Sequence, residues 1–431
     1  MATKTECAAY TGPELCRLQA HQAVTLLNKG ELSPSDLLEA SLSRISQVEG
    51  AVNALPTVCA ERARTTLANL EQRRQGHGEE PGWLAGLPIG IKDLTPVADV
   101  RTTFGSPGFS KNVPDQSDPL VLRLEARGAT VVGKTNTPEF GAGGNTFNAV
   151  FGYTRNPWDT RMNAGGSSGG AAVSLATGEV WLSHGSDLAG SLRTPAAYCG
   201  VVGLRPSPGR AGGGPATLGF HTEGVAGPMA RSVTDCALFL DAMSGFEPLS
   251  PISIEAPQSS FSTAVRLPLG KARVAWSADL NGFALIESDI REILESALRQ
   301  FAASGATVEE ACPELPELET TYRVLRSMLW ACGPGRLSPD IQQHFKATLT
   351  ENIQAGRDLE IDDVYDAQIN RTVLFHKVRV LLEDFDVLAM PVVGLKAQPV
   401  EQEYPLQVAG RLVGDYLDWL RFSFLSTTVG F

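Results

Sequence analysis

The chain of 431 residues is poor in positive charge: 36 Lys and Arg stand against 48 Asp and Glu, for a net charge of −12. That deficit excludes the basic footprint of a nucleic-acid-binding domain and implies solubility more than any particular substrate. Cysteine is scarce too. The seven residues at 7, 16, 59, 199, 236, 312 and 332 are odd in number and scattered, with no C-x-x-C pair. This excludes a disulfide framework and a zinc site of ordinary spacing and fits thiols in a reducing compartment. No apolar run approaches the roughly 20 residues that span a bilayer. The opening MATKTECAAYTG has no signal-peptide core. A cytoplasmic protein that contacts neither membrane nor nucleic acid is expected. The six histidines include none placed with an aspartate as in a serine triad. His184, the one nearest the glycine-rich block, reads as structural.

What is present is a sizeable apolar content, 43%, and 43 glycines that cluster, unlike disorder. Ser33-Pro34-Ser35-Asp36 is a helix start, with a capping serine, proline at the first helical position and a capping-box-like aspartate. Leu37, Leu38, Leu42 and Ile45 follow at helical spacing. Around 118–135 the order is helix, Gly128 as stop, then a buried strand from 129 to 132. The same grammar recurs with Ile290, Ile293, Leu294, Leu298 and Phe301, then Gly305, then a strand at 306–308. Residues 386–390 read as a further strand, and the apolar 422–431 as the approach to one. Such alternation predicts an α/β class with helices covering a sheet. With no repeat and no low-complexity linker, one domain over 1–431 is expected. Its catalytic core lies at about 80–235, and a more variable helical region at about 255–380 shapes the substrate pocket.

Three segments carry chemistry. Gly86-Leu87-Pro88-Ile89-Gly90-Ile91-Lys92-Asp93 ends an apolar run on a lysine. Gly165-Gly166-Ser167-Ser168-Gly169-Gly170 offers hydroxyls on a glycine framework. Gly185-Ser186-Asp187-Leu188-Ala189-Gly190-Ser191-Leu192-Arg193-Thr194-Pro195 is a loop leading to a helix. Singly, each reads as a surface lysine, a flexible turn and a tight loop. Together they supply what acyl transfer needs: a nucleophile, a base and donors for an oxyanion. Glycine lets backbone N–H groups approach a substrate oxygen, and a lysine serves as base when burial keeps it neutral. Ser-Lys sites are a variant of triad logic.

From Gly165 to Ala196 the sequence resembles the amidase-signature hydrolases, in GGSSGG and in the downstream D-x-A-G-S-L-R-T-P. The resemblance includes Val52-Asn53-Ala54, Thr102-Thr103-Phe104-Gly105-Ser106, Gly133-Lys134-Thr135-Asn136-Thr137-Pro138-Glu139-Phe140, Asn156-Pro157-Trp158 and Gly227-Pro228-Met229-Ala230-Arg231, and spans about 15–431. It implies a mixed, twisted β-sheet sandwiched between helices. It implies Ser191 as nucleophile, Ser167 on a cis peptide as proton relay and Lys92 as base. The N–H groups of Leu188, Ala189, Gly190 and Ser191 become the oxyanion hole, Asp187 and Arg193 braces of that loop, and Ser168 a hydrogen-bonding neighbour of the relay. No cofactor and no metal are implied. The substrate is a small-molecule amide, aryl amide first and carbamate (urethane) second, as in bacterial aryl-acylamidases and related urethanases. Phe147 and Phe151 in segment 141–151, with Tyr322, Leu329 and Trp330, are the candidate pocket residues.

Two departures stand out: Ala189 replaces a usual glycine and Ala164 a usual proline. Members also usually continue past this chain's last residue with more sheet and a closing helix. A missing C-terminal part is therefore an expectation, with uncovered surface near 386–393 and 422–431 and association there with another chain, a homodimer included. Two rival readings remain. One is an amidotransferase component that releases ammonia from glutamine and passes it to a partner. The other is nucleotide binding, because Gly128-Ala129-Thr130-Val131-Val132-Gly133-Lys134-Thr135 fits G-x-x-x-x-G-K-[ST]. The helix before Gly128 and the strand-like Thr130-Val131-Val132 speak against the second.

Overall fold

The structure, a computed structural model, describes residues 12–71, 80–214, 216–268 and 270–431; Cys7 lies outside them. A six-stranded sheet forms the centre, in the order Thr57–Val58, Thr130–Thr135, Pro88–Lys92, Leu182–Asp187, Val225–Ala230, Val202–Gly203. The three middle strands run parallel, and the outer ones pair antiparallel. The expected mixed sheet between helices is what forms. Every residue of the strands Pro88–Lys92 and Thr130–Thr135 is buried, as parallel strands covered on both faces require. Two parallel strands end on Lys92 and Asp187. This places both at the carboxyl edge, where open α/β sheets gather their ligands.

Local chemistry explains the elements. Ser33 Oγ accepts from the Asp36 N–H and an Asp36 carboxylate oxygen accepts from the Ser33 N–H, both at 3.1 Å, which starts helix Pro34–Val52. Helix Pro119–Ala126 stops before Gly128 (φ +81°) and the strand Thr130–Thr135 follows. Helix Gly169–Ala176 is entirely buried. Gly170 is obligatory in it, since a Cβ there would lie 2.3 Å from the Asn136 nitrogen and 2.5 Å from the Ala54 oxygen.

A second apolar cluster packs on the first, around Leu280, Tyr322, Leu374, Trp419 and Phe424. Beside it, Arg273–Trp276 is the middle of a three-stranded parallel sheet, flanked by Thr307–Glu310 and Val387–Ala389. Val387–Ala389 is an edge strand, and Val387 is 49% exposed. The segment 422–431 corrects the expectation of a strand. Helix Phe424–Val429 forms there, closed by Gly430 in the left-handed region. Phe422, Phe424 and Leu425 are buried, and the Phe424 ring stacks on Tyr322 with centroids 3.7 Å apart. Among the described residues no helix is long and apolar enough to cross a membrane, no group of His, Cys, Asp and Glu is placed to hold a metal, and six cysteines are free thiols.

Candidate active site

Lys92 ends its strand inside the protein, with no exposed surface. Its Nζ lies 2.7 Å from Ser167 Oγ, 2.9 Å from Ser168 Oγ and 3.0 Å from Ser186 Oγ. Exposure grows outward from this amine: 0% at Lys92 and Ser168, 3% at Ser167, 7% at Ser191. The two serines of GGSSGG are held at the start of helix Gly169–Ala176, and the Gly166–Ser167 peptide is cis. The Ser168 N–H donates to the Ser191 carbonyl at 3.1 Å, which ties the two loops together.

Burial pushes the Lys92 amine down to about 7, opposed only in part by the Asp187 carboxylate. A neutral amine has two N–H donors and one lone pair. Ser168 Oγ gives its own proton to the Ser186 carbonyl at 3.2 Å, so it accepts from the amine. The lone pair is then available to the Ser167 hydroxyl at the shortest of the contacts.

Asp187 organises the loop that follows. Its Oδ1 accepts from the Gly190 N–H and its Oδ2 from the Leu192 N–H, both at 3.0 Å. Arg193 grips both oxygens, at 2.9 and 3.1 Å. Arg205 donates to the Asp187 carbonyl at 2.7 Å and approaches Oδ1 at 3.5 Å. Burial raises this carboxyl, but Arg193, its hydrogen bonds and Arg205 outweigh burial and hold it well below the usual carboxylate range. The Gly190 N–H is thus turned onto Asp187, unlike the expectation of four N–H groups facing substrate. Ala189 belongs to the second apolar cluster, which gives its extra methyl a packing place. Ala164 is buried in the first.

The loop is backed by residues that sequence spacing does not bring near. Tyr322 Oη donates to the Leu188 carbonyl at 3.2 Å, and Arg193 donates to Ser426 Oγ at 2.7 Å. A Cβ on Gly190 (φ +85°) would lie 3.2 Å from the Ser423 Cβ. Ser186 had its signal in the motif: a hydroxyl one residue before the loop aspartate, on a strand that runs beside the Lys92 strand.

Leu188 opens onto a cleft of about 230 Å³ lined also by Leu218, His221, Leu329, Trp330 and Pro334. Trp330 packs with Leu188, Phe140 and Phe345 in an apolar wall, and a Cβ on neighbouring Gly141 would lie 3.4 Å from Ser167 Oγ. Leu329 and Trp330 therefore stand where pocket residues were expected. Tyr322 supports the loop from its buried stack on Phe424. Phe147 stacks on Tyr153, and Phe151 lies under the Arg101 guanidinium. His221 was not singled out from sequence. Its Nδ1 is 3.7 Å from Glu223, which Arg371 grips at 2.7 Å.

The two rival bases have other surroundings. His184 is buried on its strand, and burial together with Lys92 and Lys134 pushes it down to about 3. Lys134, of the phosphate-loop pattern, is a buried strand residue. It donates to the Thr95 carbonyl and Thr102 Oγ1, both at 2.7 Å, and lies 3.4 Å from Asp93. The mechanism of that pattern needs a loop around phosphate, and here the segment is sheet.

A family model for amidases matches residues 36–431. An acylamidase from Rhodococcus erythropolis is 34% identical over 420 residues, or 94% of this chain and 85% of that protein. The amidase component of a glutamyl-tRNA(Gln) amidotransferase from Thermosynechococcus vestitus is 37% identical over 300 residues, or 69% of this chain and 62% of that one. The solved structure of a bacterial aryl acylamidase of the amidase-signature family superposes with a TM-score of 0.87 at 26% identity, covering 96% of this chain and 88% of its own. The chain belongs to the amidase-signature family, hydrolases that act on amide C–N bonds.

Proposed function

We propose that this protein hydrolyses small aryl amides through an acyl-enzyme on Ser191, with aryl carbamates as second substrates. The observation that carries the reading is a fully buried Lys92 whose amine stands 2.7 Å from Ser167. Ser191 Oγ attacks the carbonyl carbon. Its proton moves to Ser167 Oγ while the Ser167 proton moves to Lys92 Nζ. The carbonyl π pair becomes an oxyanion, held by N–H groups of the loop at Leu188, Ala189 and Ser191, since Gly190 is committed to Asp187. Collapse breaks the C–N bond, and the leaving amine takes its proton from Lys92 through Ser167. Water then cleaves the ester by the same relay. The residues supply nucleophile, base and acid themselves, and chelators are expected to leave the rate unchanged. We place the enzyme in the cytoplasm and in a homodimer.

The test is a panel of anilides, aryl carbamates, primary amides and glutamine ranked by kcat/KM on the purified chain. Anilides are expected first. The likeness to amidotransferase components favours a second reading, glutamine hydrolysis for a partner; turnover of glutamine with none of anilides or aryl carbamates would establish it and overturn the first.

Two further outcomes follow from the site. Because the amine must be neutral and burial sets it at about 7, kcat/KM is expected to rise through neutral pH to an alkaline plateau. A maximum near pH 5 would mean a carboxylate or imidazole base. Trp330→Ala removes the aromatic wall of the cleft. It is expected to raise KM for anilides about 10- to 100-fold, the worth of roughly 1–3 kcal/mol of apolar contact, with kcat little changed. A drop in kcat at constant KM would place the ring elsewhere.

A further inference from the structure

Helix Ile361–Asp384 is 24 residues long, about 36 Å. Ala367, Leu374 and Val378 are its buried residues. The opposite face of such a helix is ordinarily polar. Here it carries Ile361, Tyr365, Ile369, Val373 and Val380, which are 60, 57, 62, 39 and 52% exposed. At about 100° per residue these five fall within an arc of roughly 120°, centred opposite the core-facing residues. Single exposed apolar residues are normal, but a continuous stripe along a whole helix marks an interaction surface.

We propose that this face is the interface of a homodimer in which the helix packs antiparallel on its own copy across a two-fold axis. The charge pattern selects the occupant. Asp362, Asp363 and Asp366 lie in the first two turns, and Lys377 and Arg379 lie near the other end. A two-fold contact is self-complementary, so that residue i meets j and j meets i. With the axis near Arg371, Ile369 meets Val373 of the other copy and Ile361 meets the neighbourhood of Val380. Asp362 and Asp366 then come beside Arg379 and Lys377. The apolar and the ionic matches are met in one register, whereas a parallel pairing sets like charges together. Lys377 and Arg379 also pair within the chain, with Glu314 and Glu383, but at exposed positions where such pairs contribute little and exchange readily. The surface stands apart from the catalytic reading and survives its failure.

The experiment is sedimentation of the full chain. The wild type is expected at twice its 45.9 kDa. Ile369→Asp, which buries an unpaired charge in the contact, is expected to weaken association about 100-fold or more while leaving anilide turnover intact. Should that variant misfold, charge reversal decides. Asp362→Lys with Asp366→Lys, and separately Lys377→Glu with Arg379→Glu, each weaken self-association, and mixing the two variants restores a dimer. A monomeric wild type, or a dimer indifferent to all of these changes, overturns the proposal.

Discussion

Ser191→Ala is expected to lower kcat/KM by about 10⁴-fold or more and to abolish labelling by a fluorophosphonate, because the atom that forms the acyl bond is gone. Ser167→Ala and Lys92→Met are expected to cost a comparable amount, and the double variant little more, since relay and base act as one unit. An adduct mapped to Ser167, Ser168 or Ser186 would reassign the nucleophile. Loss of activity through unfolding is separable, because Lys92→Met is expected to stabilise the protein below neutral pH. The folded-state amine titrates at about 7, against about 10.4 in the unfolded chain. Below pH 7 both states hold the proton and the folded state bears the whole penalty, roughly 4–5 kcal/mol. Between 7 and about 10.4 the folded state alone is neutral, so the penalty shrinks as pH rises and is gone above that range. The hydroxyls of Ser167, Ser168 and Ser186 lose a partner in the variant, at about 1 kcal/mol each. The net gain is then about 1–2 kcal/mol below pH 7, turning into a loss above about pH 8. A stability difference between variant and wild type that does not change with pH would show that Lys92 is not the depressed amine described here.

How much of this was legible depends on how local the cause is. Ser33 and Asp36 cap a helix within one turn, and the sequence marks that helix start at the residue. Gly128 and Gly305 separate helix from strand by a conformation that few other residues adopt. Ser167, Ser191 and Lys92 were marked by glycine framing, and their meeting at the sheet edge follows from adjacent parallel strands. The supports were not legible. Arg205, Tyr322, Ser423 and Ser426 reach the loop from other elements, and nothing near them in the sequence points to Asp187 or Leu188. Residues 422–431 read as strand because a short apolar run has no period that separates strand from buried helix. The stacking of Phe424 on Tyr322 and the left-handed Gly430 decide for helix. Phe147 and Phe151 were marked by aromatic character alone, which does not tell a pocket wall from a hairpin stack or a guanidinium lid.

Asp187→Asn is expected to cut kcat about 10²- to 10³-fold while KM changes little, because the carboxylate shapes the loop that meets the oxyanion. Four interactions depend on it: the N–H groups of Gly190 and Leu192, and the guanidinium groups of Arg193 and Arg205. Removing its charge leaves both arginines beside a neutral amide in a buried setting, a loss of about 3–5 kcal/mol for a broken buried pair. Its sign with pH is set by the depressed carboxyl. Stability contributed by the carboxylate is fully present above its unfolded value of about 3.9 and is lost as pH falls through the lower folded value. The deficit of the variant is therefore constant from mildly acidic to alkaline pH and closes only in strong acid. A structural brace would account for the stability loss alone, so the kinetic pH profile discriminates. Asp187 raises the Lys92 amine against the pull of burial. Without the carboxylate, and with two unneutralised guanidinium groups close by, the amine is expected to fall further, and the acid limb of kcat/KM is expected to shift to lower pH than in the wild type. A limb that stays in place, in a variant whose kcat has fallen, would mean that Asp187 holds the loop without being felt at Lys92, and that the two are not electrostatically joined.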